Sequence, residues 1–181
     1  MKFLNTNFEG LYLIEPEVVK DDRGIFFRTY CADEFRVIGF QEEFVQMNHA
    51  SNYKAGTLRG MHAQKSPYQE IKLVRCVKGA VWDVVIDLRQ NSNTFLQYYA
   101  TELSEQNAHS ILIPKGFAHG YLTLTDHCDL IYHHTSHYTP GHEFCVRYDD
   151  PFINIEWPEK VKKISQKDLS YLNIDQTFKG L

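Results

Sequence analysis

Residues 71–88 read I-K-L-V-R-C-V-K-G-A-V-W-D-V-V-I-D-L. Two apolar runs, Ile71 to Val77 and Ala80 to Leu88, flank the dipeptide Lys78-Gly79. The β-branched residues in both runs favour strands, and a short break that contains glycine is typical of a β-hairpin. The stretch therefore predicts two consecutive, paired strands near the centre of the chain.

Similar short apolar runs recur on both sides of this stretch, separated by turn residues. They are Leu11 to Ile14, Ile25 to Tyr30, Phe95 to Leu103, His109 to Ile113, Gly120 to Leu124, Leu130 to Thr135 and Glu143 to Tyr148. Strands at this spacing are typical of an antiparallel sandwich or barrel, so the predicted fold class is all-β. Helices are predicted only over Ala32 to Ile38 and over Glu159 to Leu172, the second with Ser165 as its candidate cap.

Length and charge limit the classes of protein that this chain can belong to. With 181 residues, the chain is expected to form a single domain, 1–181, around one proper core. The formal net charge of -4 argues against a broad nucleic-acid-binding surface. The first ten residues lack the apolar core of a signal peptide, and no run approaches 18 apolar residues. We therefore expect a cytoplasmic protein without membrane contact.

The cysteines give no sign of a structural metal or disulfide framework. The four are widely spaced and form no C-x-x-C pair: Cys31, Cys76, Cys128 and Cys145. Such spacing indicates neither a zinc site nor a disulfide scaffold.

The stretch from Leu58 to Lys72 carries the most informative chemistry of the chain, and it reads L-R-G-M-H-A-Q-K-S-P-Y-Q-E-I-K. Residues an even number apart share one face of a strand. Arg59 and His62 are three apart, but Gly60 lies between them, where the backbone can bend. If these two side chains converge with Lys72 in a concave site, they suit an anionic substrate that must lose a proton.

A second motif covers residues 113–121, I-P-K-G-F-A-H-G-Y, and places His119 directly after a P-x-G turn. This turn resembles the cupin pattern of jelly-roll barrels, in which an earlier H-x-H pair, a glutamate and this later histidine bind a metal. His62 is kept here, but Gln64 stands where the second histidine would be. Glu70 and His119 remain candidate ligands beside His62, although the missing histidine argues against a catalytic metal.

Taken together, the motifs resemble those of the dTDP-4-dehydrorhamnose 3,5-epimerase family, a metal-independent branch of the cupins. Nine matching segments follow one another in the family's order over nearly the whole chain. They are D-R-G-I-F-F at 22–27, F-V-Q-M-N-H at 44–49, L-R-G-M-H at 58–62, K-L-V-R-C-V-K-G at 72–79, D-V-V-I-D-L-R at 83–89, I-P-K-G-F-A-H-G at 113–120, I-Y-H-H-T at 131–135, D-D-P-F-I-N-I-E-W-P at 149–158 and S-Q-K-D at 165–168. The resemblance implies a cupin jelly-roll barrel with a few short peripheral helices.

Such family members act on a nucleotide-linked 4-keto-6-deoxyhexose and invert carbons next to the ketone. The resemblance implies that His62 is the base and that Asp168 holds its imidazole in the right tautomer. It further implies that Lys72 stabilises the enolate oxygen and that Tyr132 is the acid on the opposite face of the sugar. No redox cofactor is needed, in agreement with the lack of a G-x-G-x-x-G fingerprint.

The resemblance also implies a set of substrate-binding residues. Arg23, Arg59 and Lys167 match positions at or around the pyrophosphate, where guanidinium forks suit phosphate geometry. Tyr138 matches the aromatic residue that stacks on the nucleotide base. Further substrate-contacting positions are matched by Gln46, Asn48, His119 and Glu143.

Several positions depart from the family pattern in the predicted pocket. Arg28, a further substrate-binding candidate, stands where the family usually has a glutamate that contacts the substrate. Met47 replaces an aspartate, Ala63 replaces an aromatic residue, and His133 replaces a lysine. The segment between Asn48 and His62 is also one residue longer than in typical members of the family. Retained catalytic positions beside changed pocket positions favour a relative that epimerises a related sugar, or only one carbon.

Three hypotheses about function stay open. The leading one is a nucleotide-sugar 3,5-epimerase in deoxysugar biosynthesis. A second is a single-site 3- or 5-epimerase that uses a dTDP- or CDP-linked ketosugar. A third is a non-catalytic cupin that binds a sugar nucleotide or a metal. Alone, His62 would fit a barrel histidine and Lys72 an edge-strand charge, but the joint set favours the enzyme.

The resemblance implies a homodimer in which the N-terminal strands cross into the partner's sheet. The sequence itself gives a hint of this association in an apolar edge around Phe3, Leu11 and Leu13.

Overall fold

The computed structural model describes residues 1–181, which form thirteen strands and two short helices. In chain order the elements are β1 Lys2–Asn5, β2 Tyr12–Glu15, β3 Val19–Asp21, β4 Gly24–Phe26, α1 Ala32–Arg36, β5 Gln46–Asn52, β6 Leu58–Gln64, β7 Lys72–Lys78, β8 Ala80–Asp87, β9 Tyr98–Ser104, β10 Ser110–Ile113, β11 Phe117–Thr123, β12 Cys128–His134, β13 Glu143–Cys145 and α2 Gln166–Leu169. Every ladder between these strands is antiparallel. The predicted all-β class is therefore confirmed.

Two sheets face each other and form the barrel. One has six strands in the order β1-β2-β10-β7-β12-β5, and the other has five in the order β13-β6-β11-β8-β9. A single buried cluster joins their inner faces, with Val74 and Leu130 from the first sheet and Val85 and Tyr121 from the second. Each sheet therefore buries its inner face against the other, as in a jelly-roll barrel.

The predicted hairpin around Lys78-Gly79 is wrong. β7 pairs with β10 and β12 in the six-stranded sheet, whereas β8 pairs with β9 and β11 in the five-stranded sheet. The short break is a crossing between sheets, made with a positive φ of 73° at Gly79. Local sequence cannot separate the two outcomes, because both produce apolar strands flanking a glycine.

The second predicted helix is also wrong over most of its length. Only Gln166–Leu169 is helical, although the expected cap is confirmed, since the Ser165 hydroxyl accepts a hydrogen bond from Asp168 N at 3.0 Å. The preceding residues are extended and follow the start of β6. There the Lys163 carbonyl accepts from Leu58 N at 2.7 Å, which fixes the approach of α2 to the barrel. The first predicted helix is confirmed in a shorter form, as α1.

Several strand bounds also differ from the predicted ones. The run from Ile25 is a strand only to Phe26, in a small hairpin with β3. β5 was not predicted, because its sequence Q-M-N-H-A-S-N is polar on both faces. The expected apolar edge is partly wrong as well, since Leu11 is buried in the core between the sheets.

A β-bulge in β6 directs Arg59 and His62 to the same side. His62 lies opposite His119, but Arg59 lies opposite Tyr121, so β6 has one more residue than β11 between the two pairs. The extra residue restores a shared face to side chains three apart, as the sequence predicted for the bend at Gly60.

The bulge depends on two glycines that let the strands approach closely. A Cβ on Gly120 would lie 2.8 Å from the Arg59 carbonyl oxygen and 2.9 Å from the Gly60 Cα. A Cβ on Gly60 would lie 2.6 Å from the Gly120 Cα, and Gly60 also has a φ of 144°. Both positions thus exclude any side chain.

The outer faces of the sheets are covered by different segments. On the five-stranded sheet, Met61 and Ala63 pack in one cluster with Ile153 and with Phe178 from the C-terminal segment. On the six-stranded sheet, Leu73 packs with Phe35 of α1. Neither helix has the length and apolar character needed to cross a membrane.

We expect Gly120→Ala to lower the free energy of unfolding by about 1–3 kcal/mol, because its Cβ meets the backbone of Arg59 and Gly60 in addition to the Met61 side chain. Urea unfolding followed by tryptophan fluorescence measures the change. The matched control is Gly39→Ala, which has a φ of 83° but open space around its Cβ, and should cost only the backbone term of about 1–2 kcal/mol. The proton NMR signal of the His62 ring should move in Gly120→Ala and stay unchanged in Gly39→Ala, and an unchanged His62 signal in Gly120→Ala would contradict the close-approach argument.

Candidate active site

A cavity of about 610 Å³ opens between the two sheets beside the bulge. Nine of the predicted catalytic and binding residues line it: Gln46, Asn48, Arg59, His62, Lys72, Tyr138, Glu143, Lys167 and Asp168. They come from both sheets, from α2 and from the loop after β12. The structure thus gathers side chains that are spread over more than 120 positions of the sequence.

His62 and Asp168 form the central pair of the cavity. The His62 Nε2 atom lies 2.8 Å from the Asp168 Oδ1 atom, and the carboxylate is almost entirely buried while the imidazole is partly exposed. Asp168 is held by the first turn of α2, through the Ser165 cap. The pair therefore joins a fixed carboxylate to an imidazole that a ligand in the cavity can reach.

The pair defines the tautomer of His62. Burial raises the pKa of Asp168, but hydrogen bonds from His62 and Ser165 outweigh it, so the pKa lies below the ordinary value of an aspartate. An ionised carboxylate only accepts hydrogen bonds, so His62 donates through Nε2–H. The lone pair then lies on Nδ1, which can take up a proton from a ligand.

Lys72 lies across the barrel, on the six-stranded sheet. Its Nζ atom is 3.3 Å from the Glu70 Oε1 atom and 3.3 Å from the His62 carbonyl oxygen. An ammonium group has three donors, so one remains for a ligand. Burial raises the pKa of Glu70, but the hydrogen bond from His134 and the charge of Lys72 outweigh it and hold this pKa below its usual value.

A polar cluster forms the rim of the cavity. The Tyr138 hydroxyl donates to the Glu143 carboxylate at 2.5 Å, and Lys167 Nζ lies 3.4 Å from the same oxygen. The hydrogen bond from Tyr138 is the main cause that lowers the pKa of Glu143 to about 2. On the opposite side, Arg59 Nε donates to Asn52 at 2.8 Å. The rim thus combines cations with an exposed aromatic ring, which suits phosphate and base groups.

Tyr132 and His119 lie behind the cavity rather than in its lining. The Tyr132 ring packs between neighbours, with centroid distances of 5.9 Å to His119 and 6.1 Å to His134. Burial raises the pKa of Tyr132 well above the ordinary value, and the nearby Tyr121 adds to this, so its hydroxyl stays protonated. His119 is 4% exposed and bonds through Nε2 to the buried Asp83 at 2.8 Å. No substrate contact of His119 is evident from this position.

Arg23 and Arg28 lie far from the cavity of their own chain. Arg23 is exposed at the turn of the β3–β4 hairpin and pairs with Asp21 at 2.5 Å. Arg28 is exposed and pairs with Glu34 at 2.6 Å. Neither lines the cavity, so the predicted substrate contacts of both residues are not formed within this chain.

The three residues considered as metal ligands do not converge. His62 pairs with Asp168, His119 with Asp83, and Glu70 with His134 at 2.8 Å. No group of three or more His, Cys, Asp and Glu side chains has an arrangement that could hold a metal ion.

Gln64, which stands at the position of the missing ligand, has a different role. Its amide nitrogen donates to the carbonyls of Tyr68 and His137, and its oxygen accepts from Thr139 N at 2.8 Å. These bonds hold the loop that carries Tyr138 against β6.

Among the cavity residues with no role in the reaction assigned from sequence are Glu70 and His134. Glu70 appeared only as a metal candidate, and His134 only as a letter of the I-Y-H-H-T motif. The signal for His134 was strand alternation, because a residue two positions after Tyr132 shares its inward face. The departing residues His133 and Met47 do not line the cavity, whereas Ala63 does.

The comparisons with known proteins agree with this geometry. A family model described as dTDP-4-dehydrorhamnose 3,5-epimerase matches residues 5–176. The chain belongs to the dTDP-4-dehydrorhamnose 3,5-epimerase family. The enzyme of that name from Salmonella typhimurium is 38% identical to it over 180 residues, which cover 98% of each protein.

Two solved structures extend the comparison within this epimerase family. The dTDP-4-dehydrorhamnose 3,5-epimerase from Bacillus anthracis, crystallised with TDP and PPi bound, has a TM-score of 0.93 and 38% identity, covering 96% of this chain and 99% of its own. ChmJ, a 3'-monoepimerase from Streptomyces bikiniensis in complex with dTDP-quinovose, has a TM-score of 0.86 and 30% identity, covering 93% and 85%. The cupin-type jelly roll is thus confirmed, and the fold serves both double and single epimerases.

The Asp168 carboxylate should make stability depend on pH in acid. Its pKa is lower in the folded chain than the ordinary value of about 3.9, so the unfolded chain binds protons first as the pH falls. The stabilisation is fully present above about pH 4 and is lost as the pH falls through the folded pKa. We expect Asp168→Asn to reduce the loss of unfolding free energy between about pH 5 and pH 2, measured by urea unfolding.

The matched control is Asp168→Asn in a His62→Ala background, where the hydrogen bond from the imidazole is already absent. There the substitution should change the pH dependence less than in the wild type. An unchanged pH dependence on removing Asp168 from the wild type would contradict the assigned cause.

Proposed function

We propose that this chain is a nucleotide-sugar epimerase, which inverts carbons next to the ketone of a dTDP-linked 4-keto-6-deoxyhexose, at C3 and C5. The observation that carries the proposal is the His62–Asp168 pair, which faces Lys72 across one cavity. Its family membership supplies the substrate class, since the relatives named above are dTDP-4-dehydrorhamnose 3,5-epimerases.

Proton removal is the first step of the proposed reaction. The Nδ1 atom of His62 takes the proton from the carbon α to the ketone, while Asp168 stabilises the resulting imidazolium through Nε2–H. The electron pair of the broken C–H bond moves to the ketone oxygen and forms an enolate. The Lys72 ammonium donates a hydrogen bond to that oxygen, and because the Lys72 side chain is only 9% exposed its charge is little screened by solvent.

Reprotonation from the opposite face of the sugar completes the inversion. Tyr132 is proposed as the acid: it is only partly buried and stacks on His134 of the cavity lining at a centroid distance of 6.1 Å, and its raised pKa keeps the hydroxyl protonated at neutral pH. The proton moves to the carbon, and the enolate electrons return to form the ketone. The His62 imidazolium then loses its proton to solvent, and the tyrosinate takes one up from solvent. Each carbon requires one such cycle, so two carbons require two.

Binding of the nucleotide part is proposed for the rim of the cavity. Arg59 and Lys167 supply positive charge for the pyrophosphate, and Tyr138 supplies an exposed ring for the base. Gln46, Asn48 and Glu143 offer hydrogen-bond partners for the sugar and the nucleotide. His119 is no longer proposed to contact the substrate, and its proposed role is to pack against the Tyr132 ring.

A single-site epimerase is the second candidate. The observation that favours it is the match to a 3'-monoepimerase of the same fold, together with Ala63 in the cavity lining where the family has an aromatic residue. The two candidates share the same base and acid, and they differ in how many carbons exchange.

Proton NMR in deuterated water with dTDP-4-keto-6-deoxyglucose tests the proposal. We expect the wild type to place deuterium at both C3 and C5, whereas a single-site enzyme would label one carbon. His62→Ala should slow exchange by about 10²- to 10⁴-fold, because it removes the base. Tyr132→Phe should still exchange a substrate proton but stall before product.

The matched control is His49→Ala, which removes an exposed histidine outside the cavity. It should leave exchange unchanged. Normal turnover by His62→Ala would overturn the mechanism, and product at the normal rate from Tyr132→Phe would overturn the assignment of the acid. Without exchange by the wild type, a panel of CDP- and GDP-linked ketosugars separates a different substrate from a non-catalytic binding protein.

A homodimer is part of the proposal. Its support is the β3–β4 hairpin, which carries exposed Val19, Ile25 and Phe26, the last with 76% of its surface accessible. Val19 lies opposite Phe26 in this hairpin, and large exposed apolar side chains that lie side by side are typical of an association site. Arg23 and Arg28 lie on or next to this hairpin, so in a dimer they would contribute to the binding site of the partner chain.

Phe26→Asp should shift the protein from dimer to monomer, because it places a charge in the proposed apolar contact. Sedimentation velocity measures the mass. Val37→Asp, at an exposed apolar residue in the turn after α1, is the control and should leave the mass unchanged. A wild type that sediments as a monomer would contradict the proposal.

The cytoplasmic location of the protein stays a prediction.

A further inference from the structure

A chain of hydrogen bonds runs along one wall of the cavity, from the rim inward, and ends at Lys72. It begins at a backbone group whose direction is certain, since Tyr138 N–H can only donate. The acceptor is Gln46 Oε1 at 3.0 Å, which leaves Gln46 Nε2 to donate to Asn48 Oδ1 at 3.3 Å. The orientations of the Gln46 and Asn48 side-chain amides are therefore set by the backbone of the Tyr138 loop.

The same logic fixes the proton of His134. With its oxygen facing Gln46, Asn48 presents Nδ2–H to His134 Nε2 at 3.2 Å, so this ring nitrogen must accept. The proton of the neutral ring is then on Nδ1, which donates to Glu70 Oε2 at 2.8 Å. The other oxygen of Glu70 faces Lys72 Nζ at 3.3 Å.

From Tyr138 to Glu70, each group donates to the next one along this series of hydrogen bonds. Glu70 then accepts from His134 through one oxygen and from Lys72 through the other. The side chains of His134, Glu70 and Lys72 are all at least nine-tenths buried, so water competes little for these bonds. An ammonium held by one buried carboxylate has little freedom to move. The carboxylate in turn is held by the imidazole.

We propose that Glu70 and His134 are positioning residues for the reaction, which hold the Lys72 ammonium at the enolate oxygen and tie its place to Asn48 and the Tyr138 loop. This inference rests on the proposed function, since Lys72 must act on a developing enolate. It predicts that the two nitrogens of His134 have separable roles. Nδ1 supports the chemical step through Glu70, and Nε2 supports substrate binding through Asn48.

Two substitutions of His134 separate these roles, because the side-chain amide of each replacement reaches the position of only one of the two ring nitrogens. His134→Asn places its amide near the Nδ1 position and keeps a donor for Glu70, but loses contact with Asn48. His134→Gln reaches the Nε2 position and keeps an acceptor for Asn48, but loses the donor to Glu70. Glu70→Gln keeps the shape and removes the charge.

Deuterium exchange into dTDP-4-keto-6-deoxyglucose measures the rate at saturation and KM. We expect Glu70→Gln and His134→Gln to lower the saturating rate by about tenfold or more with KM within about twofold. His134→Asn should raise KM by about fivefold and keep the saturating rate within about threefold. The matched controls are Glu15→Gln and His109→Gln, a carboxylate–imidazole pair at 3.9 Å outside the cavity, which should change neither value.

Equal losses of rate in His134→Asn and His134→Gln, in step with lower melting temperatures, would overturn the proposal in favour of a structural role. A second readout needs no turnover. Nitrogen-15 NMR of the His134 ring at pH 8 should show the Nδ1–H tautomer in the wild type, and Asn48→Ala should weaken that preference. An Nε2–H tautomer in an active wild type would overturn the positioning role and leave the proposed function intact. An inactive wild type with the Nδ1–H tautomer would overturn the proposed function. The hydrogen bonds from Tyr138 to Lys72 would then have no role in catalysis.

Discussion

β6 and β11 approach each other so closely at Gly60 and Gly120 that neither position has room for a Cβ. This contact permits the bulge that turns Arg59 and His62 to one side of β6. Without the bulge, strand alternation would place one of them among the apolar residues on the outer face. The position of the base relative to the cation, and hence the chemistry of the cavity, depends on this backbone contact.

The two sheets contribute different parts of the site. The five-stranded sheet brings His62, whose carboxylate partner comes from α2, and the six-stranded sheet brings Lys72 with Glu70 and His134. His62 thus pairs with the buried Asp168, and Lys72 and His134 share the buried Glu70. Because a paired charge is far cheaper to bury than a single one, the barrel can hold several ionisable groups near one another and still fold.

The predictions from sequence failed where pairing partners are distant. Lys78-Gly79 has the composition of a hairpin turn, but β7 and β8 pair with strands far along the chain. The segment before α2 contains apolar and charged residues compatible with a helix, yet its backbone bonds are made with Gly56 and with Leu58 at the start of β6. The polar strand β5 was missed because its inner face lines a cavity instead of a core, so it lacks the apolar alternation of a half-buried strand.

The sequence by itself determined the all-β class, the family and most members of the site, because these depend on residue identity and order along the chain. His62, Lys72 and Asp168 were all named from motifs. Only the tertiary structure decided that Tyr132 and His119 lie behind the cavity, that Arg23 and Arg28 lie outside it, and that His134 and Glu70 join Lys72. Such relations arise when two sheets pack face to face, and hydrogen bonds between residues 64 positions apart leave no local pattern in the sequence.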